Sequence, residues 1–316
     1  MIIPNKIIFS SYLVALILSI SCSLFVLFHL IRDPNLHRAL HNHVIGLILL
    51  LGFISEITNY PWMLHYYQQE RQWKRSLRFC EIWSFFDWGF YIVHTMLFAW
   101  ATIERHILIF HDKWIFTRLK RLLIHYLPPL IILIYGLTFY FVIVFLPPCH
   151  NVVQNTIMLC VISCLNKSKF YGIWEAILHQ TLPVSIILVS SSTLLLRVLY
   201  QKRRIHHRVR WRKHRKMTIQ LISIAILYIL FYVPATIAYA FTKFESTYET
   251  GIYIGPYATY FSYFMIPLFP FVCILSLPEL QTNRWQIFFF RRLIRRVYPN
   301  TTLCITAVVH KDSIIA

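Results

Sequence analysis

The amino-acid sequence predicts an all-α membrane protein: a seven-transmembrane-helix bundle with its N-terminus outside and an amphipathic helix after span seven. Three observations carry that prediction. Seven apolar stretches of about 25 residues or slightly more recur along the 316 residues. Charged residues make up only 14% of the chain, against 58% hydrophobic and 17% aromatic. The 31 Lys and Arg are spread very unevenly among the segments between the stretches. A soluble domain carries roughly a quarter charged residues. A chain this poor in charge cannot cover its apolar surface with polar side chains, so a lipid bilayer is its natural solvent. A formal net charge of +19 would suggest nucleic acid in a soluble protein. Here basic residues crowd the cytoplasmic ends of spans instead, and no nucleic-acid partner is expected.

The spans are read at about 7–31, 42–66, 80–110, 122–146, 171–196, 217–242 and 252–277. Each suffices to cross ~30 Å of hydrocarbon as a tilted helix. The first follows Lys6, but it is too long for the apolar core of a signal peptide and lacks a small-residue cleavage site before Arg32. The second carries Glu56. The third runs from Cys80 through Asp87 to Glu104-Arg105-His106. The fourth precedes a loop holding Cys149, Cys160 and Cys164. The fifth carries Glu175, His179 and Pro183. The sixth holds "FYVP" at 231–234 and the seventh "FPFVC" at 269–273. The basic and aromatic run "NRWQIFFFRRLIRR", within a tail helix at about 279–297, reads as amphipathic and lying on the inner leaflet. No repeat, low-complexity linker or second domain is seen, so residues 1–316 are taken as one domain.

Loop charge decides orientation. With the N-terminus outside, 22 Lys and Arg fall on inner segments and 8 on outer ones, and Arg105 makes up the total. The positive-inside rule favours that arrangement. The first outer loop, with Arg71, Lys74, Arg75 and Arg78, opposes it mildly. Asn166-Lys167-Ser168 is then a glycosylation sequon in an outer loop, and the sequon at Asn300 lies inside, unused. The same orientation puts Cys80 and the three loop cysteines on the oxidising side.

From Cys80 to Glu104 is 24 residues, ~36 Å of helix. An outer cysteine followed at that distance by an acid-Arg-aromatic triplet resembles the third helix of rhodopsin-like (family 1) G-protein-coupled receptors. His106 stands here in place of the usual Tyr. The resemblance covers nearly the whole chain and marks a divergent member. It implies a plasma-membrane receptor that binds an extracellular ligand and activates a heterotrimeric G protein. In the family the Arg pairs with its acidic neighbour when inactive and is freed as helix six swings out, so Glu104, Arg105 and His106 become the switch. The bland reading is an Arg snorkelling at a membrane edge. Tyr232 and Pro234 stand where the family has its Trp and kinking Pro in span six, and Pro270 is what survives of the span-seven motif. The resemblance implies a bridge from Cys80 to the outer loop, with Cys160 the expected partner and Cys149 and Cys164 left as a second pair. The family's span-two Asp aligns with about Gly52 and its span-one Asn with about Ser23, which argues against its interior sodium site. No acid stands at the base of span six, where the chain reads "KHRK" at 213–216, and span seven holds no Lys to carry retinal.

In the outer half of the spans, Asp87 lies ~10 Å inside Cys80, where amine receptors of the family hold the ligand's ammonium. An acid inside a span costs about 2.5–3.5 kcal/mol on insertion scales, so it needs a partner. Tyr263 stands where those receptors support that Asp. Glu175 is read as facing the same space, with Glu56 a further candidate. Trp88, Tyr91, Tyr232, Tyr239 and Tyr263 make a candidate cage for a cation. The competing readings are packing for the aromatics, mutual satisfaction of Glu175 and His179 as i,i+4 neighbours, and a bond from Asp87 to Tyr263. A small amine, with one ammonium group or two, and a peptide are both open as ligands. A heptahelical transporter or channel is the alternative class, though the chain lacks the repeats such proteins show. The fifteen His are scattered, "HRALHNH" at 37–43 reads as solvated, and neither an enzyme nor a cofactor or metal is expected.

Overall fold

Backbone polar groups in hydrocarbon have to pair within their own segment, and helices do this. The structure is a computed structural model; it describes residues 3–34, 36, 40–70, 73–110, 117–155, 157–204, 222–243 and 248–276. Seven helical spans are present among them. Span one is Asn5–Arg32 and span two Leu40–Gln68. Span three covers 77–110, span four Arg118–Phe145, span five 169–204, span six 222–243 and span seven 248–276. The expected tail helix at 279–297 and the Asn300 sequon lie outside the described residues, as does "KHRK" at 213–216. Six of the helices are long and apolar enough to cross a membrane. Span three is the seventh, and it carries Asp87, His94, Glu104 and Arg105, all buried.

Local chemistry sets the ends and the irregularities. Ser76, Thr117 and Ser168 cap spans three, four and five, each side chain accepting from the backbone N–H three residues on. Three spans contain π turns: Phe85–Gly89, Leu122–Tyr126 and Glu175–Thr181. Two of these sit just before prolines, Pro128-Pro129 and Pro183, which cannot donate to the preceding turn and so loosen it. Span six is interrupted at Tyr232, two residues before Pro234, and span seven at Tyr263-Phe264.

Span three runs through the middle of the bundle, packed against spans two, four and five. Its contact with span four is close. A Cβ on Gly136 would collide with Val93 Cγ2, so only glycine permits this approach. The fully buried Trp83, Phe98, Met265 and Phe269 fill the interior, while Val14, Ile17, Leu24 and Ile134 are exposed on the outside of the helices, as lipid-facing residues are.

The loop after span four folds back as a short antiparallel hairpin, Val152–Val153 with Val161–Ile162. Cys80 bridges to Cys160 with Cα atoms 5.5 Å apart, and Cys149 bridges to Cys164 at 6.0 Å. Closing an 80-residue separation restricts the unfolded chain by about 4.5 kcal/mol on the chain-entropy account. Arg75 of the first outer loop completes the tether. Its guanidinium donates to the carbonyls of Asn155 (2.8 Å), Ile157 (2.8 Å) and Met158. It also lies over the rings of Tyr66, Trp73 and Trp83. Burial lowers its pKa from the ordinary guanidinium value, while the carbonyl acceptors satisfy the cation.

Candidate functional site: an outer cavity and an inner charge cluster

The outer half holds two buried acids in different settings. Asp87, in the π turn of span three, accepts from Asn59 Nδ2 at 2.5 Å and from the Tyr263 hydroxyl at 2.9 Å to each oxygen. Asn59 is held in turn by Trp83, whose indole N–H donates to its Oδ1 at 2.6 Å. Tyr60 donates to the Tyr263 carbonyl at 2.5 Å. This cluster ties spans two, three and seven together. Tyr91 belongs beside it: its hydroxyl donates to the Ser262 carbonyl at 3.2 Å and its ring lies 5.3 Å from Tyr232.

Glu175, in the π turn of span five, lines a cavity toward the outer side. The hydroxyls of Tyr140 and Tyr239 donate to its two oxygens at 3.3 and 3.1 Å. Trp88, Tyr171, Ser84 and Val144 complete the wall, and Asn151 and Ser163 of the outer loop close over it. Among the described lining residues there is no Lys or Arg. Asn151 is itself held, accepting from the Cys164 N–H at 3.2 Å.

The expected cage is therefore divided. Trp88, Glu175 and Tyr239 meet the cavity; Asp87, Tyr91, Tyr232 and Tyr263 do not line it. His179 does not pair with Glu175. Its Nε2 bonds to the Tyr135 hydroxyl at 2.9 Å, and its ring packs on Phe139 at 4.4 Å. Tyr135 and Phe139 of span four take up the imidazole, while tyrosine hydroxyls take up the carboxylate. Glu56 turns the other way, toward Ser19 and Ser23 of span one, bonding to Ser23 at 3.2 Å.

At the inner end, Arg105 is 1% exposed and so is Glu104. The Glu104 carboxylate bonds to His125 Nδ1 of span four rather than to Arg105. The two side chains leave the helix about 100° apart, so adjacency in sequence does not by itself make a pair, although a side chain as long as that of Arg105 can still reach its neighbour. His106 is half-buried on the same turn. Midway, the His94 Nδ1 of span three meets the Tyr228 hydroxyl of span six at 2.8 Å, and Tyr228 stacks on Phe98 at 4.4 Å. Pro234 and Pro270 lie inside their helices, and Asn166 lies in the turn Cys164–Lys167.

Asn59, Tyr140, Tyr171 and His125 were not reached from the sequence. A signal existed for Asn59 and His125, because polar groups within a span need internal partners. Nothing in a one-dimensional pattern marks the two tyrosines.

Seven helical spans, an outer cavity under a disulfide-tethered loop and a buried Arg at the inner end define a heptahelical membrane receptor. The family model described as "7 transmembrane receptor (rhodopsin family)" matches residues 22–266, and the chain belongs to that family. In fold it is similar to the crystal structure of squid rhodopsin, with a TM-score of 0.67 at 14% identity over 92% of this chain and 87% of that one. No curated protein matches it. The chain is thus a multi-pass G-protein-coupled receptor that signals through G proteins, and it is not an enzyme. The transporter or channel alternative falls with that assignment.

Proposed function

We propose that this receptor sits in the plasma membrane and takes, in its outer cavity, a small ligand carrying one cationic nitrogen. Glu175 carries the reading. It is a carboxylate 4% exposed at the wall of a cavity whose other described lining residues are uncharged. An ammonium there would meet a counter-ion and the faces of Trp88, Tyr171 and Tyr239, an arrangement that attracts cations. The loop closing over the cavity speaks against a peptide. The division of the acids disfavours a diamine, because Asp87 does not line the cavity that Glu175 fronts. Ligand binding draws spans five and six together through Glu175 and Tyr239, and Arg105 at the far end then engages the G protein.

A panel of monoamines and quaternary ammonium compounds tests this in cells whose surface receptor is quantified, read by nucleotide exchange on the G protein. Some member should activate the wild type, and Glu175→Gln should lose that response. Arg105→Ala should reach the surface and bind the ligand, but fail to promote exchange. Exchange persisting in Arg105→Ala would reduce that residue to a membrane-edge anchor. A Glu175→Gln receptor as responsive as wild type would end the cationic reading.

A further inference from the structure

Glu104 is the acid of the expected switch, and its partner lies on another helix. His125 Nδ1 of span four reaches it, and behind His125 its Nε2 meets His43 Nδ1 of span two at 3.1 Å. Tyr126 flanks both imidazoles, stacked on His43 at 5.9 Å and edge-on to His125 at 4.4 Å. Glu104 and His125 are each 1% exposed. Three spans therefore converge on one carboxylate.

Hydrogen-bond roles constrain this chain. An ionised carboxylate only accepts, so His125 Nδ1 carries a proton. Where His125 Nε2 faces His43 Nδ1, one of the two must donate. A neutral His125 accepts from His43, and a charged His125 donates to it. Glu104 keeps a donor in either state. His43 thus fixes how His125 is presented to the acid, as an outer partner orients an imidazole elsewhere.

We propose that His125, backed by His43, is a positioning residue for the G-protein switch: it holds Glu104 off Arg105 and so sets the resting level of signalling. The proposal rests on the reading of Arg105 as the coupling residue. Without His125, a buried carboxylate would lose its partner, an arrangement proteins avoid strongly. Arg105, its chain neighbour with a long flexible side chain, is the cation at hand. Glu104 would then restrain Arg105, and resting exchange would fall.

The test uses the full-length receptor in lipid nanodiscs with purified G protein, measuring nucleotide exchange without ligand. His125→Phe should lower exchange about tenfold, the order expected for one charge-assisted hydrogen bond. His125→Asn places an amide N–H near the Nδ1 position and should retain most of the wild-type rate. His125→Gln places it near Nε2, out of reach of Glu104, and should behave like His125→Phe. A Glu104→Gln change added to His125→Phe should restore exchange, since no carboxylate is left to hold Arg105. A packing role alone would not separate Asn from Gln, so equal rates in those two variants overturn the proposal. A rate in His125→Phe at or above wild type also overturns it. Should His125→Phe fail to fold, the Asn and Gln contrast still decides. Arg105→Ala keeps the two readings apart: persistent exchange there defeats the coupling role of Arg105, whereas a silent Arg105→Ala with indistinguishable His125 variants defeats the latch alone.

Discussion

Asp87 and Glu175 are chemically alike, and both are nearly fully buried, 7% and 4% exposed. Their surroundings part them. Asp87 is enclosed by an amide and a tyrosine that donate to it, in a cluster stitching three spans together. Glu175 is held by tyrosines of spans four, five and six, and it fronts a cavity. One acid is enclosed by the fold while the other borders open space. Burial and charge together do not separate the two; what faces each carboxylate does.

The sharpest way to break this contrast is to neutralise each acid in turn. Glu175→Gln should weaken the potency of a cationic agonist by about a hundredfold, near the value of a buried charged pair at a binding site, with little change in surface yield. Asp87→Asn should do the reverse: agonist potency of the receptor that reaches the surface holds, while thermal stability in detergent drops by about 2–3 kcal/mol, as for a lost charged hydrogen bond. The contrast collapses if the two variants exchange phenotypes.

A smaller effect is expected from the wall that both regions share. Gly136→Val would drive a side chain into Val93 and push span four from span three. Tyr140, one turn further along span four, would move off Glu175. Overpacking typically costs about 1–3 kcal/mol, and here both the melting temperature and agonist potency should fall, measured on one preparation. Smallest is the tether. Arg75→Ala should leave both disulfides formed and the bundle stable, yet speed amide hydrogen exchange at 155, 157 and 158 and shorten ligand residence. Unchanged exchange at those amides would show that the bridges alone hold the loop.

Much of the architecture was legible in the sequence. Seven stretches with the right length, little charge and a basic bias on one side dictate a seven-helix bundle and its orientation, because hydropathy and loop charge act locally and need no knowledge of neighbours. Arg105 and Asp87 stood out for the same reason: charges inside apolar runs are visible one residue at a time. Pairings were a different matter. Glu104 is adjacent in the chain to Arg105 but bonds to His125 of span four, and Glu175 and His179 are spaced for a bond that each makes with tyrosines instead.

The sequence by itself thus determined the solvent, the number of spans and the polar residues that had to find partners. Only the tertiary structure decided who those partners are. Asp87, His125 and Glu175 each lie in a π turn. Such a turn adds a residue to the helix and rotates everything beyond it, so the face a side chain presents does not follow from its position in a regular period. Prolines before or after a turn hint that the period will slip, as Pro128 and Pro183 do here. They cannot say toward which helix, because that depends on how closely the next span approaches, and between spans three and four the approach is set by the missing side chain of Gly136.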